Sequence, residues 1–495
     1  MAKRKQSTFE RLTNGKLNRK QRKEFVRRLR SDDPGLEVVH RHAAGIDIGN
    51  ESHYVAVAPG RDPEPVREFG SWTADLIRMA NWLKSCGVTD VVMQSTGVYW
   101  IAVYEVLEKA GFKVCLANAR ETKNLPGRKT DVQESQWLLK LHTYGLLRNS
   151  FRPSEEIRRV RTIWRLRGRH VQEAAREIQH MQKALTTMNV QIANTISDLS
   201  GVTGQTIVRA ILKGERDPYK LAQMKDYRIR ASQEEIARSL EGNWQPDVLF
   251  ELQQAVEAYD FIKRQIAACD QQLQEYLAAL PDRRVGKAEE RESARVEPAS
   301  GPQGAANGKD DPGAKNKKSR KKPRDNEPKF DLQAELTRIC GVNLSSIDGV
   351  NVMTIQTFVS ELGTDMTPWP TEDNLVSWLK LAPNPRITGG KIIKHERKKV
   401  RNRVNDALRM AASSLEHSDS YLGARFRHMK GRLGPCKAIK AVAAHLARLI
   451  YRMLTHGQAW VDRGAQEHET KRTDREKRSL ERKAAALGFR LEPAA

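Results

Sequence analysis

Three things are scarce in this chain of 495 residues: cysteine, long apolar runs and, relative to base, acid. The five cysteines, Cys86, Cys115, Cys269, Cys340 and Cys436, are odd in number, far apart and never spaced Cys-x-x-Cys. That excludes a disulfide framework and a zinc knuckle and leaves core thiols in a reducing compartment. No apolar run approaches the roughly 18 residues of a membrane span, and no apolar stretch follows Met1-Ala2-Lys3-Arg4-Lys5 as in a signal peptide. The expected location is therefore cytoplasmic, with no membrane partner. Acid falls well behind base, 61 Asp and Glu against 86 Lys and Arg, for a net charge of +25. Such an excess calls for a polyanion whose counterions are displaced on binding, and nucleic acid is the obvious one.

The length is about three typical domains, so two or three cores are expected. Residues 1–42 form a basic flexible arm with too few apolar positions for a core. From Ala43 strand and helix alternate: a hairpin over Ala44 to Ala58, helices over Ala74 to Ser85, Tyr99 to Ala110 and Val132 to Tyr144, and strands over Asp90 to Met93 and Phe112 to Ala117. This marks 43–150 as an α/β layer domain.

A helical period starts at Ser154, a candidate N-cap, and carries Ile157, Val160, Trp164, Val171 and so on to Ile192 and Leu199, interrupted by Arg167 and Thr195. A helix of that length, roughly 60 Å, should pair as a coiled coil, with a second seam over Asp247 to Leu280 running back along it or along a partner subunit. The helical coiled-coil region is thus 151–281, and Ser232 and Glu235 inside it have capping-box spacing. Residues 282–328 read as a disordered basic linker, 329–460 as a helical domain and 461–495 as a charged tail.

Asp47 lies in the apolar strand Gly45-Ile46-Asp47-Ile48-Gly49, where a buried carboxylate is costly unless a cation or donor compensates it. Asp131 and Glu134, spaced i,i+3 at a helix start, face one side. Such hard oxygen donors select Mg²⁺ or Mn²⁺, the ions of phosphodiester cleavage. Taken alone, each motif is read more simply as a cap or solvated charge. Downstream, Ile347-Asp348-Gly349-Val350 followed by Thr354 to Leu362 is similar to a helix-hairpin-helix, whose glycine turn offers N–H groups to phosphate, though an ordinary helix–helix turn fits as well. The cations Lys391, Lys394, His395, Arg397, Lys398, Lys399, Arg401 and Arg403 surround one acid, Glu396, and suit phosphate binding. RNA could be held by the arm, by Arg158, Arg159, Arg161, Arg165, Arg167 and Arg169, or by Lys315 to Arg324.

Residues 44–150 resemble the RuvC-like DEDD domain of insertion-sequence transposases described as bridge-RNA-guided recombinases. The resemblance rests on Ala44-Gly45-Ile46-Asp47-Ile48-Gly49, Met93-Gln94-Ser95-Thr96-Gly97-Val98-Tyr99-Trp100 and Gly127-Arg128-Lys129-Thr130-Asp131. It continues through Gly341-Val342, Ser377-Trp378-Leu379 and Ile387-Thr388-Gly389-Gly390-Lys391. It implies a metal site at Asp47, Gln94, Asp131 and Glu134, with Gln94 where the pattern has glutamate and Glu134 where it has aspartate. It also implies a hydroxyl nucleophile at Thr388, where the pattern has serine, with Gly389 and Gly390 letting DNA approach and Lys129, Gly349 and the basic run contacting nucleic acid.

The combined expectation is an α/β RNase H-like (RuvC-like) domain, a long helical coiled coil and a small all-α C-terminal domain. The expected enzyme is a bacterial, nucleoid-associated transposase or DNA recombinase using Mg²⁺ or Mn²⁺, a structured guide RNA and a covalent hydroxyl–DNA intermediate. It is expected to work as a homo-oligomer, a dimer or tetramer. A RuvC-like nuclease that uses water, or a degenerate transposase that binds without cutting, are the alternatives.

Overall fold

The computed structural model describes residues 34–95, 97–118, 130–284, 326–383, 385–388, 391–395, 402–457, 464–486 and 488–490, with positions 24, 27 and 28. Most of the arm and the linker expected at 282–328 lie outside them. The chain divides into two compact units, Met1–Arg152 and Pro153–Ala495.

In the first unit five strands, β1 (Ala43–Ile48), β2 (Ser52–Val57), β3 (Val66–Gly70), β4 (Asp90–Gln94) and β5 (Lys113–Ala117), form one sheet ordered β3-β2-β1-β4-β5. β1 pairs antiparallel with β2, and β2 with β3, whereas β1–β4 and β4–β5 are parallel. The parallel joins need crossovers, supplied by α1 (Thr73–Ser85) and α2 (Trp100–Lys109). Strand alternation decides which face each residue serves. Ala44, Ile46, Ile48, Val55, Val57, Val91 and Met93 pack with Leu76, Met79, Leu83, Val103 and Leu107 of the crossover helices. The opposite face carries α3 (Asp131–Thr143), whose Leu138 packs with Val92, Cys115 and Ala117 and whose Leu139 packs with Ala43 and Ala56. β3 was not anticipated; it is an edge strand with none of its residues buried, so no apolar run announces it.

In the second unit, α4 (Glu155–Thr187) and α8 (Pro246–Ala278) are each 33 residues long, about 50 Å. They run antiparallel, as Arg167 bonds Asp270 near one end and Lys183 meets Glu251 near the other. Three short helices, α5 (Val202–Leu212), α6 (Pro218–Ala222) and α7 (Gln233–Ser239), lie between them in sequence, and Ser232 and Glu235 form the expected capping box.

Two readings of this region change. α4 stops at Thr187 rather than near Leu199, because Asn189 takes a left-handed turn with φ 58° and Ile192 begins a single 3₁₀ turn. Ile192, Ile196 and Leu199 are core residues, but off the helix. Arg167, which looked like a break in the seam, is 2% exposed and donates to Asp270 Oδ1 at 2.5 Å and to the Asn326 carbonyl at 2.9 Å. Ser154 does start α4, but its hydroxyl bonds the Glu156 carboxylate instead of capping a backbone N–H.

The C-terminal part contains α9 (Leu332–Cys340), α10 (Val352–Leu362), α11 (Glu372–Trp378), the hairpin β6 (Pro385–Thr388) and β7 (Lys391–His395), α12 (Arg403–Ser414), α13 (Tyr421–Leu433) and α14 (Pro435–His456). The hairpin corrects the all-α expectation: β-branched Ile387, Thr388, Ile392 and Ile393 favour a ladder over a helix. A final helix, α15 (Gly464–Ala486), runs through the tail.

α10 docks on the head of α4, where Arg165 makes two bonds to Glu361, at 2.8 and 2.6 Å, and Arg161 reaches the Ser360 carbonyl at 3.3 Å. Arg161, Arg165 and Arg167 are therefore engaged within the chain, with the Arg165 side chain still 44% exposed.

On α14, burial, with Arg425, Arg448 and Arg452 nearby, holds the His445 imidazole down at about 4, below its ordinary 6.5. A group neutral when folded but protonated below 6.5 when unfolded contributes stability that is whole above pH 6.5 and lost as pH falls toward 4. Thermal melts from pH 7 to 5 should show a declining midpoint, with a shallower decline in His445→Gln. Identical slopes in the two proteins would exclude the residue as a source.

Candidate functional site

The site is built where β1 and β4 end and α3 begins. Asp47 shares its face of β1 with Ala43 and Gly45, the face that α3 covers. Gly45 is what allows that cover. A Cβ there would lie 2.3 Å from the Ser135 carbonyl oxygen and 2.4 Å from the Leu139 nitrogen, inside any permitted contact. Helix α3 is thus pressed on β1 at Ser135, and its first turn projects along the strand toward Asp47.

β4 runs parallel to β1 with Ile46 opposite Met93, so Gln94 follows beside Asp47, on the same face as Val92. Gln94 is 6% exposed, Asp47 and Glu134 are half-buried and Asp131 is exposed. Thr130 caps α3, accepting the Gln133 N–H at 3.3 Å, which fixes the turn that carries Asp131 and Glu134. The positive end of the helix dipole would repel a cation there, and these two carboxylates offset it.

Two further groups, missed in the sequence, share this face. Tyr54 is the register partner of Asp47, and Glu68 that of Tyr54. The hydrogen bond to Glu68, with desolvation and the charges of Glu68 and Asp131, raises the Tyr54 phenol above its ordinary 10.0. The influence of Asp131 on Tyr54 ties the start of α3 to the strand pair carrying Asp47. No apolar alternation in Val66-Arg67-Glu68-Phe69-Gly70 marks its strand, so Glu68 is brought in only by register.

The four expected ligand positions therefore sit on elements that meet at one end of one sheet. Among the described residues, however, Asp47, Asp131 and Glu134 do not form a set with ligand atoms within 4.8 Å of one another; only His40, Asp90 and His142 do. The donors at this end, three carboxylates and one amide oxygen, are all hard oxygens and fit a small divalent cation rather than a thiolate or imidazole metal.

Of the other expected residues, Lys129, Gly389, Gly390, Arg397, Lys398, Lys399 and Arg401 lie outside the described residues. Thr388 ends β6 opposite Lys391, and Lys394 pairs with Arg386 on β7. Arg403, exposed at the start of α12, approaches Glu361 to 3.8 Å. Gly349 has φ 78°, and a Cβ there would meet the Ala411 carbonyl oxygen at 2.7 Å. Packing against α12 thus already demands this glycine, as the ordinary helix–helix turn would have it.

A five-stranded mixed sheet with this order and acids at its strand ends is consistent with an RNase H-like DEDD domain, whose chemistry uses divalent metal. Residues 44–190 match the family model of the IS110-type DEDD transposase, and residues 342–427 match that described as "Transposase IS116/IS110/IS902 family". No curated protein matches the chain. The class is that of enzymes that move DNA, transposases and recombinases. Within it, the two matches support an IS110-type transposase.

The amide of Gln94 carries one negative charge fewer than a glutamate would at this position. In Gln94→Glu, half-maximal strand cleavage should need roughly tenfold less Mg²⁺, given the strength of a full charge at contact distance. A metal titration identical to that of the parent would show that position 94 does not face the ion.

Proposed function

We propose that the chain cleaves and exchanges DNA strands for an insertion sequence, guided by a structured RNA, with Thr388 supplying the attacking hydroxyl. What supports this most is the presence in one IS110-type chain of an acidic strand-end cluster and, in the second half, a hydroxyl followed by two glycines and a basic run. Asp47, Asp131, Glu134 and the Gln94 amide oxygen hold Mg²⁺ or Mn²⁺. When bound, that ion polarises the scissile phosphate and neutralises the charge that develops on it.

Thr388 Oγ1 attacks the phosphorus, losing its proton to water. A phosphorus–oxygen bond forms to the protein while the one to a deoxyribose oxygen breaks, and the departing oxygen takes up a proton. A free DNA hydroxyl then repeats the exchange on the linked phosphate and restores the threonine. One phosphodiester is formed for each one broken, so no energy source is needed. The threonine methyl restricts χ1 and crowds an in-line approach, so the step is slower than with serine.

Lys129, Lys391, Lys394, Arg397, Lys398, Lys399, Arg401 and Arg403 hold phosphates, making binding strongly salt-dependent. The protein acts in the bacterial cytoplasm on the nucleoid. The protein works as a homo-oligomer, a dimer or tetramer.

The test is denaturing electrophoresis of the protein with cognate RNA, Mg²⁺ and labelled DNA. The parent should give a protein–DNA adduct, Thr388→Ala should lose it and Thr388→Ser should form it several-fold faster. An adduct that persists in Thr388→Ala would refute the nucleophile. Cleavage without an adduct would favour a water-using nuclease, and binding without cleavage a degenerate transposase, the outcome that Gln94 and Thr388 together would favour.

A further inference from the structure

At the opposite end of α3 and of β4 from the acidic cluster lies a second group of possible ligands. His40 precedes β1, Asp90 opens β4 and His142 occupies the last turn of α3; one ligand atom from each lies within 4.8 Å of the other two. Residues 131 to 142 on α3 are separated by eleven steps of about 1.5 Å, roughly 16 Å, so an ion here would be distinct from one at Asp131.

The two imidazoles stack with centroids 4.2 Å apart and planes 8° from parallel. His40 Nδ1 is 3.5 Å from Asp90 Oδ1, and the other Asp90 oxygen accepts from the Thr89 hydroxyl at 2.6 Å. His142 is 4% exposed, yet neither of its ring nitrogens has a hydrogen-bond partner. A buried imidazole with both nitrogens unpaired forgoes a polar contact that buried groups in folded proteins nearly always make. A metal ion would supply it. Burial, with His40 beside it, also holds the His142 imidazole down at about 4, neutral and able to ligate at physiological pH.

We propose that His40, Asp90 and His142 form a binding site for a borderline transition-metal ion of the Zn²⁺ class. Two imidazole nitrogens and one carboxylate oxygen are the donors such ions choose over Mg²⁺, with water in the fourth position. Tetrahedral ligands at about 2.0–2.1 Å from zinc stand roughly 3.4 Å apart, so the group must contract by no more than about 1.5 Å. Parallel rings aim their lone pairs side by side, so one ring must turn. His40, whose side chain is 32% exposed, is the one with room. The bound ion would tie the segment entering β1, the start of β4 and the end of α3 to one point, holding the sheet and the helix in register from the end remote from the chemistry.

The test uses the full-length protein stripped of metal and kept in excess Mg²⁺, so that the hard oxygen site is filled. Co²⁺ is titrated and its visible ligand-field absorption recorded, and Zn²⁺ binding is measured by calorimetry and by the shift of the melting temperature. The expected result is one equivalent of Co²⁺ with tetrahedral-type intensity, displaced by Zn²⁺, and a melting temperature raised by several degrees. His40→Ala and, separately, Asp90→Asn should each weaken Zn²⁺ affinity at least tenfold, while Asp47→Asn leaves it unchanged. The proposal is overturned if no stoichiometric Co²⁺ spectrum appears, which would leave a histidine stack and nothing more. It is equally overturned if the ion is lost in Asp47→Asn but retained in His40→Ala. Because the readouts are spectral and thermal, failure here leaves the strand-exchange reading untouched.

Discussion

The whole arrangement at the end of the sheet that carries Asp47 depends on one close approach, that of α3 to β1 across Gly45. A single hydrogen in place of a side chain lets the Ser135 carbonyl and Leu139 backbone sit against the strand, where a Cβ would be 2.3 Å away. Core overpacking costs about 1–3 kcal/mol even where side chains can adjust, and here the obstacle is backbone. The helix axis therefore cannot move outward without opening the sheet face. Its first turn, fixed by the Thr130 cap, is held at the ends of β1 and β4. Two strand residues and two helix residues, with Gln94, Asp131 and Glu134 lying 47, 84 and 87 positions after Asp47, are thereby brought by packing to one end of the sheet.

Charge is handled differently in the two units. The second unit uses arginine internally: Arg167 with Asp270 between the long helices, Arg209 with Asp260 at 2.7 and 2.6 Å, and Arg161 and Arg165 around Glu361. Glu361, 7% exposed, also lies 3.8 Å from Arg403 just after the basic run. The Arg167–Asp270 pair, buried on both sides, contributes little net stability against a hydrophobic replacement, but breaking it leaves an uncompensated charge at a cost of about 3–5 kcal/mol, whereas the half-exposed pairs around Asp260 and Glu361 are worth less. They select one docking of α10 on α4 more than they strengthen it.

Alternation of apolar residues made β1, β2, β4, β5 and the three helices of the first unit legible, because each has a buried face with the right period. β3 has no such face. In the second unit the period was right but its end was not: Ile196 and Leu199 continue the apolar spacing while Asn189 has already turned the chain, and a single left-handed residue leaves no trace in hydropathy. The acidic positions were legible through motif resemblance, whereas Tyr54 and Glu68 joined them only through strand register. His40 and His142 could not be paired in advance, since only the folded sheet and helix bring them together. The hairpin of β6 and β7 was hidden by its own cations, which read as a phosphate-binding run.

The antiparallel pairing of α4 with α8 binds the two lengths to each other. Arg167 faces Asp270 and Lys183 faces Glu251, so the same chain supplies both sides of one ladder folded at its far end. Extra turns inserted into one helix alone would slide every rung beyond the insertion and strand Arg167 or its partner. Relatives with a longer or shorter arm should accordingly differ by matched additions or deletions on both sides of the bend, the two helices growing and shrinking together like the legs of a stepladder.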